Sequence, residues 1–164
     1  MKKIVLLAGA AAIAAFFIVR MIMPDDRVRI ERTITRGRDA IEREDIDDLM
    51  KVVSLTYRGQ SGLSYLTLRR MFERLFESSD RITAGCRFAG IDISGDTADA
   101  VLDVWLSGMV DGQRYRIIGS ATAPERLTVI LAKGELKWAV VATKWDRVPS
   151  VETMLEFGRM RRVE

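Results

Sequence analysis

From Ile4 to Val19 sixteen consecutive residues carry no charge, and only Arg20 interrupts the apolar run before Pro24. Roughly 20 helical residues cross a bilayer core, so residues 4–23 are just long enough to span one. Arg20 lies near the far end, where its long stem can carry the guanidinium to the headgroups. The competing reading is a cleaved export signal with Lys2 and Lys3 as its basic head. Its small-x-small triplets, however, lie within Ala8–Ala15, ahead of the bulky Phe16, Phe17, Ile18 and Val19 that end the apolar core. Residues 1–24 therefore read as an uncleaved anchor. Arg20, Arg27, Arg29 and Arg32 outnumber Lys2 and Lys3 and favour a cytoplasmic body, whereas a short basic head is the ordinary start of an export signal. The expectation is a single-pass inner-membrane protein with its body outside the cytoplasm.

Beyond Pro24 the period is helical. Asp25 and Asp26 are N-cap candidates for a helix with an apolar stripe at Ile30, Ile34 and Ile41. Asp45 can cap a shorter helix carrying Ile46, Leu49, Met50 and Val53. After a break at residues 57–62, YRGQSG, Ser64 can cap a third helix with Leu68, Met71, Phe72, Leu75 and Phe76 on one face. From Arg81 the period changes to two, with turn signals at Gly95-Asp96, Asp111-Gly112 and Gly134-Glu135. Three helices followed by a run of strands is the α+β pattern, with helices on one face of an antiparallel sheet. The division expected is an anchor over 1–24, a domain over 25–148, and a tail over 149–164 able to form a short helix through Val151, Met154, Leu155 and Phe157.

Composition narrows the chemistry. The chain has 26 Lys and Arg against 23 Asp and Glu, but Lys2, Lys3 and Arg20 fall in the first 24 residues and leave 23 basic against 23 acidic in the body. A neutral body has no general attraction for phosphate backbones, so no nucleic-acid partner is expected. The absence of His removes the usual general base and the commonest metal ligand, and a single cysteine, Cys86, excludes an internal disulfide and a thiolate cluster. Neither metal nor cofactor is expected.

A helix ending in RDAIEREDIDDLMKVVS, the break at Tyr57-Arg58-Gly59, the helix LTLRRMFERLF and the meander together resemble the nuclear transport factor 2-like superfamily, whose bacterial members include SnoaL-like and ketosteroid isomerase-like proteins. The resemblance covers about residues 27–147 and includes Ala40, Asp45, Leu49 and Met50. It implies a cone in which a strongly curved sheet wraps the helices and leaves a cavity at its mouth, with dimers commonly formed through the outer sheet face. Function does not follow from the fold.

Strand registers indicate what the interior would hold. A two-residue turn at Asp111-Gly112 pairs Gly108 with Tyr115 and Leu106 with Ile117, placing Ala98, Ala100, Leu102, Val104 and Leu106 on one apolar face. Asp99, Asp103, Trp105, Arg116 and Ile118 fall on the other. A turn at Gly134-Glu135 pairs Leu131 with Trp138 and Val129 with Val140. Cys86 and Phe88 share one parity and Ile91 and Ile93 the other, which requires a bulge at Ala89-Gly90. Tyr57, Tyr65, Phe88, Leu106, Tyr115 and Trp138 are then the pocket candidates, and Asp103, Trp105, Arg116 and Ile118 the interface candidates. No carboxylate falls in the inward set, so no catalytic residue is assigned. The expected function is a membrane-tethered, non-catalytic cone that binds a membrane-protein partner or a second copy of itself as a homodimer. The alternatives are a binder of a small apolar ligand, or an isomerase-, dehydratase- or cyclase-like enzyme, the last requiring a register slip that turns Asp99 and Asp103 inward.

Overall fold

A computed structural model describes residues 25–135 and 137–146. Helix α1 spans Asp26–Glu42 with Asp25 at its N-cap, although the Asp25 side chain makes no capping hydrogen bond. It buries Ile30, Ile34, Gly37 and Ala40, while Ile41 is only partly buried. Gly37 permits a close approach, because a β-carbon there would stand 3.3 Å from the Val52 side chain. Glu44 adopts a φ of 57° and ends the helical run. Asp45 then caps α2, Ile46–Met50, by accepting the Asp48 N–H at 2.9 Å. Ser64 likewise caps α3, Tyr65–Ser78, through the Thr67 N–H at 3.3 Å.

Five antiparallel strands follow: β1 Asp80–Ser94, β2 Thr97–Val110, β3 Gln113–Ile118, β4 Glu125–Lys133 and β5 Trp138–Trp145. Strand β2 pairs with β1 over nearly its whole length, and its other edge is shared by β4 over residues 97–104 and β3 over residues 106–110. At about 3.3 Å per residue a flat strand of this length would run roughly 46 Å, so it must bend to wrap the helices. Bulges supply the bending, at Ala89 in β1, between Asp80 and Thr83 at the start of the same strand, at Ile117 in β3 and at Val141 in β5. The first falls where the parity switch in β1 requires it. Asp111 and Gly112 both take positive φ, as a tight hairpin turn between β2 and β3 demands. The architecture is α+β, with helices packed on one face of a curved antiparallel sheet.

A stretch of each outer edge, β1 and β5, is covered. The Ile82 and Ala84 N–H groups of β1 donate to Glu44 and Glu42 at 3.2 and 3.1 Å. Strand β5 bonds the segment after α2, through Val140 N–H to the Val52 carbonyl at 2.9 Å and Ser54 N–H to the Val140 carbonyl at 2.8 Å. The carbonyl of Val141, the extra residue of its bulge, accepts the Arg58 N–H at 2.9 Å. Such covering shields these stretches from strand addition.

Two registers differ from those expected. Leu106 pairs with Ile118 rather than Ile117, because Ile117 is the extra residue of the β3 bulge. The β4–β5 connection is longer than two residues: Lys133 pairs with Trp138, Leu131 with Val140 and Val129 with Thr143. The membrane-spanning helix expected over residues 4–23 and the helical tail expected over 149–164 lie outside the described residues. Among those described, no helix is long and apolar enough to cross a membrane.

Trp138 is 1% exposed, in a core formed with Ile30, Ala100 and Leu131. Its indole N–H donates to Asp26 Oδ1 at 3.0 Å, and Lys133 Nζ donates to Asp26 Oδ2 at 2.6 Å, fastening the start of α1 to the β4–β5 hairpin. The Lys133 hydrogen bond first, and that of Trp138 second, hold the Asp26 carboxyl below its ordinary value of 3.8. A depressed carboxyl stabilises the fold above the unfolded-state pKa and loses that contribution as pH falls through the folded-state value. Asp26→Asn should therefore lower the free energy of urea unfolding at pH 7 by about 1–3 kcal/mol. The gap from wild type should close as the pH drops below 3.8.

Candidate functional site

The apolar stripe of α3 is the starting point for the site. Of its residues only Leu75 is buried, while Leu68, Met71 and Phe72 stay partly exposed and border a cavity between the helices and the sheet. That cavity measures about 270 Å³, and α1, the segment after α2, and strands β1, β2, β4 and β5 close its other sides. Its wall is almost wholly apolar, with Ile34, Leu102, Leu106 and Val129 among the contributors. Among the described residues no Asp or Glu side chain lines it.

Polar groups border it at a few points. Tyr57, 1% exposed, comes from the loop after α2 and places its hydroxyl 2.6 Å from Thr143 Oγ1 of β5. Thr143 reaches the inner side because the Val141 bulge inserts one residue and reverses the parity of the rest of β5. Unbroken alternation would have turned it outward. Gln60 accepts the Trp145 N–H at 2.8 Å through Oε1, which fixes the orientation of its amide. Gly59 is required beside them, since a β-carbon there would stand 2.6 Å from the Tyr57 hydroxyl oxygen and 3.0 Å from the Leu63 β-carbon. Elsewhere on the wall Arg38 of α1 lies near Cys86 of β1 and forms an ion pair with Asp39.

Each titratable group on this wall is shifted away from neutrality. Burial pushes the Tyr57 phenol up, against the smaller opposing effect of its Thr143 hydrogen bond. Burial also raises the Cys86 thiol despite the nearby Arg38, and the Asp39 hydrogen bond raises the Arg38 guanidinium. Phenol and thiol stay protonated and the guanidinium stays charged around pH 7. Among the described residues no three His, Cys, Asp or Glu side chains converge as metal ligands would.

The pocket candidates separate into three groups. Tyr57 and Leu106 line the cavity. Tyr65, Phe88 and Trp138 pack in or against the main core cluster instead. Tyr115 is exposed on β3, where its hydroxyl donates to Gln113 Oε1 at 3.2 Å. Although Tyr115 pairs with Gly108, the surface over that glycine is taken by Ser79 and Ile117. Thr143, Gln60 and Arg38 were not visible as cavity residues from alternation alone.

The interface candidates also diverge. Asp103 accepts from Arg126 Nε and Nη2 at 3.1 and 2.9 Å on the outer sheet face, and Arg116 is exposed there. Ile118 borders the cavity because the Ile117 bulge sets it opposite the inward-facing Leu106. Trp105 lies across the backbone of Gly85, where a β-carbon would fall within 1.9 Å of its ring, and it too borders the cavity.

Several solved structures share this architecture. A protein from Novosphingobium aromaticivorans provisionally named an aromatic ring hydroxylase superposes with a TM-score of 0.64 at 19% identity, covering 79% of this chain and 96% of its own. A nuclear transport factor 2-like protein with a cystatin-like fold from the same organism gives 0.61 at 14% identity over 88% and 94%. A protein from Streptomyces avermitilis provisionally named a dehydratase of that family gives 0.60 at 12% identity over 73% and 94%. The fold is thus the nuclear transport factor 2-like cone. No family model matches the sequence, and no curated protein matches it.

Gly59→Ala should force the Tyr57 ring or the Leu63 segment to move, at a cost of about 1–3 kcal/mol in unfolding free energy. Chemical denaturation followed by tyrosine and tryptophan fluorescence measures it, and an unchanged midpoint would show that the loop yields freely.

Proposed function

We propose that this protein binds a small, largely apolar molecule inside the cone without transforming it. The observation that carries the reading is the cavity of about 270 Å³, walled by apolar side chains and bordered by no carboxylate among the described residues. Ligand sites are mostly apolar with a few placed polar groups, which matches this lining. General acid–base chemistry calls for a group whose pKa lies near the working pH, and the phenol, thiol and guanidinium on the wall all shift upward. Relatives provisionally named hydroxylase and dehydratase share the architecture, but at such identities the likeness concerns fold alone. The apolar run over residues 4–23 extends the proposal to a binder tethered at a bacterial inner membrane, with its body outside the cytoplasm.

Native mass spectrometry of the full chain in detergent should show a co-purifying small molecule or uptake of an added apolar fluorophore. Met71→Trp, which fills the cavity from α3, should reduce that uptake at least tenfold while leaving the circular dichroism spectrum intact. Equal uptake by the folded variant would remove the cavity from the proposal.

A second reading, self-association through the outer sheet face, is supported by a separate observation. Asp92 and Asp99 face each other across β1 and β2 toward one end of this face, whereas Arg114 and Arg116 project from β3 toward the other. All four are exposed, and Val101, Thr128 and Ile130 between the two ends are half-buried. Two copies related by a twofold axis would bring each acidic end onto the other's arginines over this apolar middle. Arg114→Glu with Arg116→Glu should then convert dimers to monomers in sedimentation velocity and make any residual association insensitive to salt. A wild-type chain that sediments as a monomer at every concentration would dispose of this reading.

A further inference from the structure

The hydroxyl pair at the cavity border has an imbalance of protons that describes the ligand further, provided that the cone binds a small apolar molecule as proposed. Tyr57 and Thr143 each bring one O–H donor, and the single bond between them uses one of the two. Whichever of them donates, one O–H is left with no acceptor among the described residues. Gln60, exposed at the same border, accepts the Trp145 N–H through Oε1 and adds its amide N–H donors there. Tyr57 is buried and Thr143 half-buried, so a spare O–H here is largely sequestered, and an apolar molecule that brings an acceptor recovers part of the cost of leaving it unpaired. Arg38, the one cation on the wall among the described residues, is already paired with Asp39. A carboxylate entering so apolar a space would lose its hydration with little return.

We propose that the cavity selects an uncharged apolar molecule bearing a carbonyl-type acceptor oxygen, seated against the Tyr57–Thr143 hydroxyl pair. The hydroxyl that donates to the ligand also accepts from its partner, and this chain of two hydrogen bonds strengthens both. A hydrocarbon leaves the free O–H unsatisfied. The proposal involves binding only and no covalent step.

Three probes with two phenyl rings test it: benzophenone, which carries the carbonyl; diphenylmethane, which lacks it; and diphenylacetate, which carries a charge. Affinities for the full chain in detergent are measured by displacement of an apolar fluorophore. Benzophenone is expected to bind about three- to tenfold more tightly than diphenylmethane, with diphenylacetate weakest. Tyr57→Phe and Thr143→Val each leave one hydroxyl free to donate, so each single variant should keep part of the preference for the ketone. Tyr57→Phe combined with Thr143→Val should abolish it. The infrared carbonyl band of bound benzophenone supplies a readout that needs no variant, and it should lie below its position in an aprotic solvent. Equal binding of ketone and hydrocarbon to the wild type, or an unshifted carbonyl band, would overturn the inference while leaving the apolar site standing. Failure of all three probes to displace the fluorophore, with no co-purifying molecule, would overturn the binding reading itself.

Discussion

A strand bonded along both edges shows alternate side chains to one side, and only an inserted residue can change which ones. Strand β2 obeys this rule along the length that pairs with both neighbours, so that Ala98, Ala100, Leu102 and Leu106 are all buried under the helices. Around it four bulges, two of them in β1, reset the alternation in β1, β3 and β5. These insertions also bend the sheet, and the same residues therefore affect both the curvature of the cone and the identity of its lining. Without the extra residue at Val141 the Thr143 hydroxyl would face outward and Tyr57 would lose its partner.

The helices meet this sheet unequally. The start of α1 is fastened by Asp26 to Trp138 and Lys133, and its buried stripe includes Gly37 and Ala40, small enough to let neighbouring elements approach closely. By contrast α3 fully buries Leu75 alone and leaves Leu68, Met71 and Phe72 partly buried along the cavity. An amphipathic helix that leaves part of its apolar face uncovered forgoes burial worth about 25 cal/mol per Å². An apolar occupant of the cavity would recover that energy, so packing energetics and proposed function point the same way.

Much of the local structure could be read from the chain. Asp45 and Ser64 cap the helices that their positions announce, and Gly95 and Gly112 sit in the turns with positive φ. The bulge at Ala89 was legible because the buried residues change parity there, from Cys86 and Phe88 to Ile91. No such mark exists at Ile117, where Ile117 and Ile118 are equally apolar, nor at Val141, where Val140, Val141 and Ala142 read alike on either face. Hydrophobic pattern locates a bulge only where a polar residue is out of step, and these strands have none at the critical position. Tyr115 was misplaced for a related reason: the register placed it opposite Gly108 correctly, but Ser79 arrives from the end of α3 and takes that surface.

Local propensity and periodicity, written in neighbouring residues, determined the order of helices and strands, the caps, the hairpin turns and the apolar face of β2. They also limited the chemistry, since a chain without His and with one Cys has few groups that titrate near neutrality. Only the tertiary structure decided that Thr143 and Tyr57 meet, 86 residues apart in sequence, and that Arg38 and Gln60 border the same space. It likewise decided that Trp105 lies over Gly85 and that α3 stops short of filling the interior. These outcomes depend on where strands slip by one residue and how closely distant segments approach, and both are set by the packing of the whole chain rather than by any stretch of it.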